Sequence, residues 1–333
     1  MNQEQSKTRV LVTGATGFIG SALACYLFSQ GMQIRALTRN RHHPNVQRYS
    51  HYEWIFGDLL EQDSLTTLCD DVDFVFHAAG FAHASKNNEP HFQQKHHQIN
   101  FEATMQLAKL AIKSTVARFI FFSSVKACAE KKSCIDENWV AMPTDAYGQS
   151  KRAAEEKLLQ LPMEVAILRL SLVYGVGWKG NLNAMLKAIE KNVMPRMPSV
   201  QNKKSMVSLS DVCRVAFCAA RATLQSQRVF IITDGITYST KEIEQTMRKA
   251  LGRKNSGWSL PLWTWILLGR IGDVFQKITK RSLPINTEAV EKLFGSAEYT
   301  SLYTKDYLGF VPKYTFSDII PEIVAERELF RIL

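Results

Sequence analysis

The stretch RVLVTGATGFIG, Arg9–Gly20, decides how the rest of this chain is read. RVLVT is a short run rich in β-branched residues, and it stops abruptly at glycines 14, 17 and 20. The residues that follow, Ser21–Gln30, have the amphipathic spacing of a helix closed by Gly31. Strand, glycine turn and helix in that order are what a phosphate-binding βαβ unit requires. Gly14 and Gly17 let the backbone turn tightly and approach a pyrophosphate, and Gly20 lets the helix lie close on the strand. The helix start then offers unpaired amides and a partial positive charge. A dinucleotide site is therefore expected at Gly14, Thr16, Gly17, Phe18, Ile19 and Gly20.

The next elements extend that unit. Gln33–Thr38 reads as a second strand, followed by Arg39 and Arg41. An acid at this point would accept hydrogen bonds from ribose hydroxyls, whereas an arginine pairs with a 2′-phosphate, so Arg39 predicts NADP(H) in preference to NAD(H). Glu53–Phe56 and Asp73–His77 read as the third and fourth parallel strands, with EQDSLTTLCD (61–70) as the crossover helix. Ligands of open parallel sheets bind at the carboxyl ends of the strands. Asp58 and Leu59 of GDL and Ala78, Ala79 and Gly80 of HAAG should therefore face the cofactor, the latter permitting close backbone approach. A helical stretch over 91–113 leads to the strand RFIFFSS (118–124), which carries Ser123 and Ser124 to the same edge.

DAYGQSKRAAE (145–155) then reads as a helix that places Tyr147 and Lys151 one turn apart on one face. An ammonium there would stabilise the phenolate and tune the tyrosine for proton exchange with a sugar or alcohol hydroxyl.

Composition sets the frame. The 333 residues are 46% hydrophobic and 22% charged, ordinary globular values with ample material for a core. The formal charge of +10 is scattered rather than gathered in one run, which favours a basic ligand pocket or attraction to anionic surfaces over a nucleic-acid groove. Six cysteines without a CxxC pair, and an N-terminus without the apolar core of a signal peptide, predict a reducing cytoplasm. All eight histidines precede residue 98, and the offsets between His91, His96 and His97 do not share a helix face. No metal site is expected of them, and they read as surface or loop residues.

TGATGFIG, GDL, HAAG, FFSSVKA, YGQSK and LRLSLVYGVG, in this order within residues 8–177, resemble the extended short-chain dehydrogenase/reductases of the nucleotide-sugar epimerase and dehydratase family. The resemblance implies a doubly wound parallel α/β (Rossmann) domain over 1–177, joined by segments of about 203–235, and a smaller substrate-binding lobe mainly over 178–333. It assigns Ser124, Tyr147 and Lys151 as the catalytic triad. Tyr147 is the acid/base and Ser124 holds the reacting sugar oxygen. Lys151 holds the nicotinamide ribose and lowers the tyrosine pKa. Asn100 matches an asparagine of the cofactor region. Asn181 and Lys204 match residues at the substrate diphosphate, with lysine in place of the family's arginine. Asp211 opens the following helix, and Leu170 replaces a proline.

Where the family's 4,6-dehydratases carry an Asp-Glu pair after the triad hydroxyl, this chain has Val125 and Lys126, so loss of water is not expected. SSVKACAE is similar instead to bacterial nucleotide-sugar 4-epimerases and 4-ketoreductases. The implied chemistry is hydride transfer at C4 of a nucleotide-diphosphate sugar. A 4-ketoreductase is preferred through Arg39, beside a UDP-sugar 4-epimerase; a dehydrogenase of a non-sugar alcohol and a non-catalytic dinucleotide-binding sensor are more distant readings. The family also implies a homodimer. WSLPLWTWILLGRIGDVF (258–275) falls short of the ~20 residues that span a bilayer. It reads either as a helix packed in the substrate lobe or as an interfacial helix making peripheral membrane contact.

Overall fold

The computed structural model describes residues 7–61, 65–82, 90–128, 134–253, 259–279 and 286–332. In chain order the first half runs β1 (Arg9–Thr13), α1 (Phe18–Ser29), β2 (Gln33–Thr38), α2 (Pro44–Arg48), β3 (Glu53–Phe56), β4 (Phe74–His77), α3 (Pro90–His97), α4 (Ala103–Lys113), β5 (Arg118–Ser124), α5 (Ala146–Leu158) and β6 (Glu164–Leu170). The second half runs β7 (Leu172–Tyr174), α6 (Asn181–Glu190), β8 (Lys204–Ser208), α7 (Leu209–Arg221), β9 (Val229–Ile232), β10 (Thr237–Tyr238), α8 (Thr240–Ala250), α9 (Leu262–Thr279), α10 (Thr287–Phe294), α11 (Thr304–Leu308) and α12 (Phe316–Ile332).

Seven strands form one parallel sheet in the order β3-β2-β1-β4-β5-β6-β9. Their nearly continuous apolar runs follow from helices covering both faces. Val10, Val12, Ile120 and Leu168 meet α1 and α7 on one face through Leu23, Leu27, Val212 and Val215. Leu11, Val75, Phe119 and Ile167 meet α4 and α5 on the other through Leu107, Ala111, Ala154 and Leu158. The alternation within each strand thus feeds two cores rather than one core and solvent.

A second, three-stranded sheet has the order β10-β8-β7, with β7 parallel and β10 antiparallel to β8. It shares a core with α6, α8 and α12, where Tyr174, Leu186, Met206, Met247 and Phe316 are buried together. Helix α9 lies against α10 at the edge of this lobe, around buried Trp265. Among the described residues no helix is long and apolar enough to cross a membrane.

Four local expectations change. Helix α1 begins at Phe18, not Ser21, because Gly17 at its N-cap lets the turn pass directly into the helix. The described part of 61–70 is a succession of turns rather than a helix. Arg35 from β2 takes the carbonyls of Leu68 (3.0 Å) and Asp70 (2.7 Å), which a continuing helix would need. The 91–113 helix is broken by a π-helical turn, Gln98–Glu102, that turns Asn100 inward. His77 and His96 are buried rather than superficial; His77 is hydrogen-bonded to Thr13 and Thr104, and His96 Nδ1 lies 3.1 Å from the Phe81 carbonyl oxygen.

Candidate active site

The carboxyl edge of the large sheet is shaped first by glycines. Gly14 has φ +68°, and a Cβ there would stand 2.8–2.9 Å from the backbone of Ala78 and Ala79. A Cβ on Gly20 would fall 2.1 Å from the Gly14 carbonyl oxygen. The Gly17 amide donates to that same oxygen at 2.8 Å. The turn is therefore a cradle that side chains would fill, and the start of α1 opens into it, which suits the pyrophosphate of a dinucleotide. Thr16 and Gly17 lie at the surface of this turn, while Phe18 packs toward the second lobe and Ile19 into the sheet core.

A chain of hydrogen bonds ties the cradle to the next strand end. Thr104 donates to the Asn100 carbonyl (2.8 Å), so its oxygen accepts from His77 Nε2 (2.9 Å). The imidazole then accepts at Nδ1 from Thr13 (2.7 Å), whose oxygen accepts from the Ala79 amide (3.2 Å). These donors fix one neutral tautomer. Burial and the nearby Lys151 charge agree with that, pushing the His77 pKa down to about 3. Asn100 completes the corner: its side chain accepts from the Phe81 amide (2.7 Å) and donates to the Phe81 carbonyl (3.0 Å) and to Ser150 (3.0 Å).

Ser124, Tyr147 and Lys151 converge on this corner. Asp145 caps α5 by accepting from the Gly148 amide, which sets Tyr147 in the first turn. The Ser124 hydroxyl beside the phenol draws its pKa down, but burial outweighs this and pushes it up to about 12. Lys151 is buried one turn later; its Nζ donates to the Phe122 carbonyl (2.9 Å) and lies 4.6 Å over the Phe121 ring. Burial lowers this ammonium to about 8 against the opposing pull of Glu155. A Cβ on Gly80 would stand 3.3 Å from Asn100 Oδ1 and 3.4 Å from Lys151 Nζ, so only glycine keeps these groups open to a ligand.

Other expected residues are placed differently. Ser123 does not present its hydroxyl beside Ser124. Neighbouring strand residues point to opposite faces, and Ser123 donates to Glu155 at 2.5 Å in the interior. Leu59 is buried in the core. Arg39, highly exposed, stands 3.4 Å from Asp58, so the cation expected to meet a 2′-phosphate has a carboxylate at its side. Asn181 is the exposed first residue of α6 after Gly180, which has φ +86°. Lys204 donates to the carbonyls of Lys292 and Gly295, both at 2.9 Å. Burial and the charge of Lys126 lower Lys204 to about 8, and burial lowers Lys126 as well. The Lys204 ammonium is thus near enough to Lys126, two residues after Ser124, to feel its charge.

The interior ion pair under the site has no counterpart in the sequence expectations. Glu155, one turn beyond Lys151, receives Arg169 at 3.0, 3.1 and 2.6 Å, with both residues almost wholly buried. Strand register sets Arg169 directly beside Ser123, and its other nitrogen reaches Cys128 Sγ at 3.1 Å. An arginine ending the apolar run EVAILRL, and a glutamate four residues after Lys151, are the signals that could have found it.

With this geometry in view, similarity to known proteins places the chain. The description "NAD dependent epimerase/dehydratase family" matches residues 10–232. A UDP-glucose 4-epimerase of Vibrio cholerae is 30% identical over 319 residues, 93% of this chain and 92% of that protein. An N-acetyl-α-D-glucosaminyl-diphospho-ditrans,octacis-undecaprenol 4-epimerase of Escherichia coli O157:H7 is 24% identical, with 92% of each covered. Among solved structures, a UDP-glucose 4-epimerase of Thermotoga maritima with UDP-glucose superimposes with a TM-score of 0.76 at 19% identity, covering 98% of this chain and all of that one (100%). The Bordetella bronchiseptica enzyme WbmG in complex with NAD gives 0.75 at 19% identity, covering 99% and 97%. The glycine cradle, the parallel sheet with its carboxyl-edge site, and this kinship together make the chain a member of the NAD-dependent epimerase/dehydratase family.

Proposed function

We propose that this protein is an NAD-dependent 4-epimerase of UDP-sugars, with Ser124, Tyr147 and Lys151 as its catalytic residues. The observation that carries the reading is the buried Tyr147 phenol set beside Ser124 and followed one turn later by buried Lys151, next to a glycine cradle. When bound, NAD supplies reversible hydride acceptance. Gly14, Thr16, Gly17, Phe18, Ile19 and Gly20 would hold its pyrophosphate end, Asp58 its adenine side, and Ala78, Ala79, Gly80 and Asn100 the approach to Lys151. Tyr147 exchanges the proton of the sugar hydroxyl, and Ser124 holds that oxygen through the exchange. Val125, in the place where a carboxylic acid would be needed to expel water, leaves the chemistry at one hydroxyl.

Lys126, Lys204 and Asn181 form the proposed diphosphate site. Burial disfavours both ammoniums, and the Lys126 charge lowers Lys204 further, so an anion between them would relieve both. The division at residue 177, with segments of 203–235 returning to the sheet, and a homodimer belong to the same proposal.

An NADPH-dependent 4-ketoreductase is the second reading, favoured by Arg39 and Arg41. The Asp58 carboxylate beside Arg39 weighs toward NAD, and the Vibrio cholerae relative toward epimerisation. A diphosphate sugar carried by a membrane lipid, named for the Escherichia coli relative, is a variant of the substrate favoured by the apolar outer side of α9.

The test is Tyr147→Phe. Turnover of UDP-glucose or UDP-N-acetylglucosamine should fall by about 10²–10⁴-fold while NAD affinity stays within a few-fold. Retained activity would overturn the assignment of Tyr147. Failure of UDP to bind in calorimetry would remove the nucleotide sugar.

A further inference from the structure

Helix α9 turns one tryptophan and its glycines inward and most of its large apolar residues outward. The inner side carries Trp265, Gly269 and Gly272, all buried. A Cβ on Gly269 would meet Val290 and Thr287 at 3.1–3.2 Å, so glycine lets α10 lie close. Trp263, Ile266, Leu267, Ile271, Val274 and Ile278 occupy the other side and are 41–76% exposed. Their spacing of three or four residues makes one stripe along a helix about 27 Å long. A monomer rarely leaves so large a contiguous apolar surface to water.

Charge decides between two occupants, a second copy and a lipid surface. From 249 to 281 the sequence carries seven basic residues against one acid, Asp273, while Arg248 just before is buried and paired with Glu244. Asp273 is turned inward, accepting from the Thr287 amide at 3.3 Å, while Arg270 and Lys277 are exposed. Pairing two such faces across a two-fold axis would set basic segments against each other. An anionic bilayer complements both features, with Trp263 suited to the headgroup level.

We propose that α9 docks this protein on anionic membranes, lying in the plane of the interface with its outer stripe in the headgroup region. Helix α10 lies between α9 and the candidate site, since its end provides the Lys292 carbonyl, and the Gly295 carbonyl just beyond it, to Lys204. Docking therefore brings the basic corner at Lys126 and Lys204 within one helix layer of the lipid. The docking does not depend on which carrier bears the sugar.

Flotation of the full chain with phosphatidylglycerol/phosphatidylcholine vesicles and with phosphatidylcholine vesicles tests this. Binding should require phosphatidylglycerol and weaken with salt. The triple variant Trp263→Ser, Ile271→Ser, Ile278→Ser should bind ~10-fold or more weakly, with NAD binding and turnover of a soluble UDP-sugar unchanged. Arg270→Glu with Lys277→Glu should weaken binding to the anionic vesicles while leaving the apolar stripe intact. If the triple variant fails to bind NAD, the charge pair decides alone. Absent flotation of the parent chain, or binding unchanged in the deciding variant, would overturn the proposal. So would a halving of the mass of the triple variant in sedimentation velocity, which would assign the face to a second copy.

Discussion

At His77, burial and hydrogen bonding act in the same direction, both keeping the imidazole neutral. Its pKa is pushed from 6.5 down to about 3. Below pH 6.5 the unfolded chain takes up a proton that the folded chain refuses until about pH 3. The stability this group contributes is thus fully present above pH 6.5 and is lost as pH falls toward 3, amounting to about 2 kcal/mol by pH 5. His77→Asn should be less stable at pH 7.5, but its further loss on going to pH 5 should be about 2 kcal/mol smaller than in the parent. Urea unfolding at the two pH values measures this, and equal losses in both proteins would contradict it. Lys126 gives a second test at this scale. If it and Lys204 share a diphosphate, Lys126→Met should raise KM for a UDP-sugar roughly tenfold with NAD affinity unchanged. A change in kcat alone would place Lys126 elsewhere.

Between elements, the clamp is the Glu155–Arg169 pair, which fixes α5 to β6 beneath Lys151. A buried pair contributes little net, but removing one partner leaves an uncompensated buried charge. Glu155→Leu should therefore destabilise by about 3–5 kcal/mol, whereas adding Arg169→Met should restore much of the loss. Thermal unfolding of the single and double variants checks the difference, and additive losses would sink the argument. The two kinds of feature at this site differed in how legible they were. GATGFIG was readable because a positive φ and a close approach are demands of the backbone on single residues. Tyr147 and Lys151 were readable because their spacing is local to one helix. The Arg169 partner was not, since strand register and helix docking bring it in from outside that helix. The turns at 65–71 were hidden for the same reason: the competing donor, Arg35, comes from another strand.

Across the whole molecule, the two sheets are joined at the loop after β9. The Asp234 amide donates to the Met206 carbonyl of the small sheet at 2.7 Å, and its carboxylate accepts from Tyr174 (3.1 Å) and Tyr238 (2.8 Å). Beneath those phenols lies Phe316, the first residue of α12, with its ring 5.3 Å from Tyr174 and edge-on to it. The Phe316 amide donates to the Tyr238 hydroxyl at 3.2 Å. Helix α12 thus closes the second lobe under the joint, while the glycine cradle and the His77 chain lie on the large sheet, the cradle meeting the lobe through Phe18. Phe316→Ala should cost about 3–5 kcal/mol through the cavity it leaves. Because stability is not uniform across a structure, that loss should appear first in the lobe. Hydrogen exchange should quicken in β10, α8 and α12 while β1, β4 and β5 keep their protection, and UDP-sugar affinity should drop while NAD still binds. Equal loss of protection in both sheets would mean that they unfold as one unit and that the joint at Asp234 transmits the defect rather than containing it.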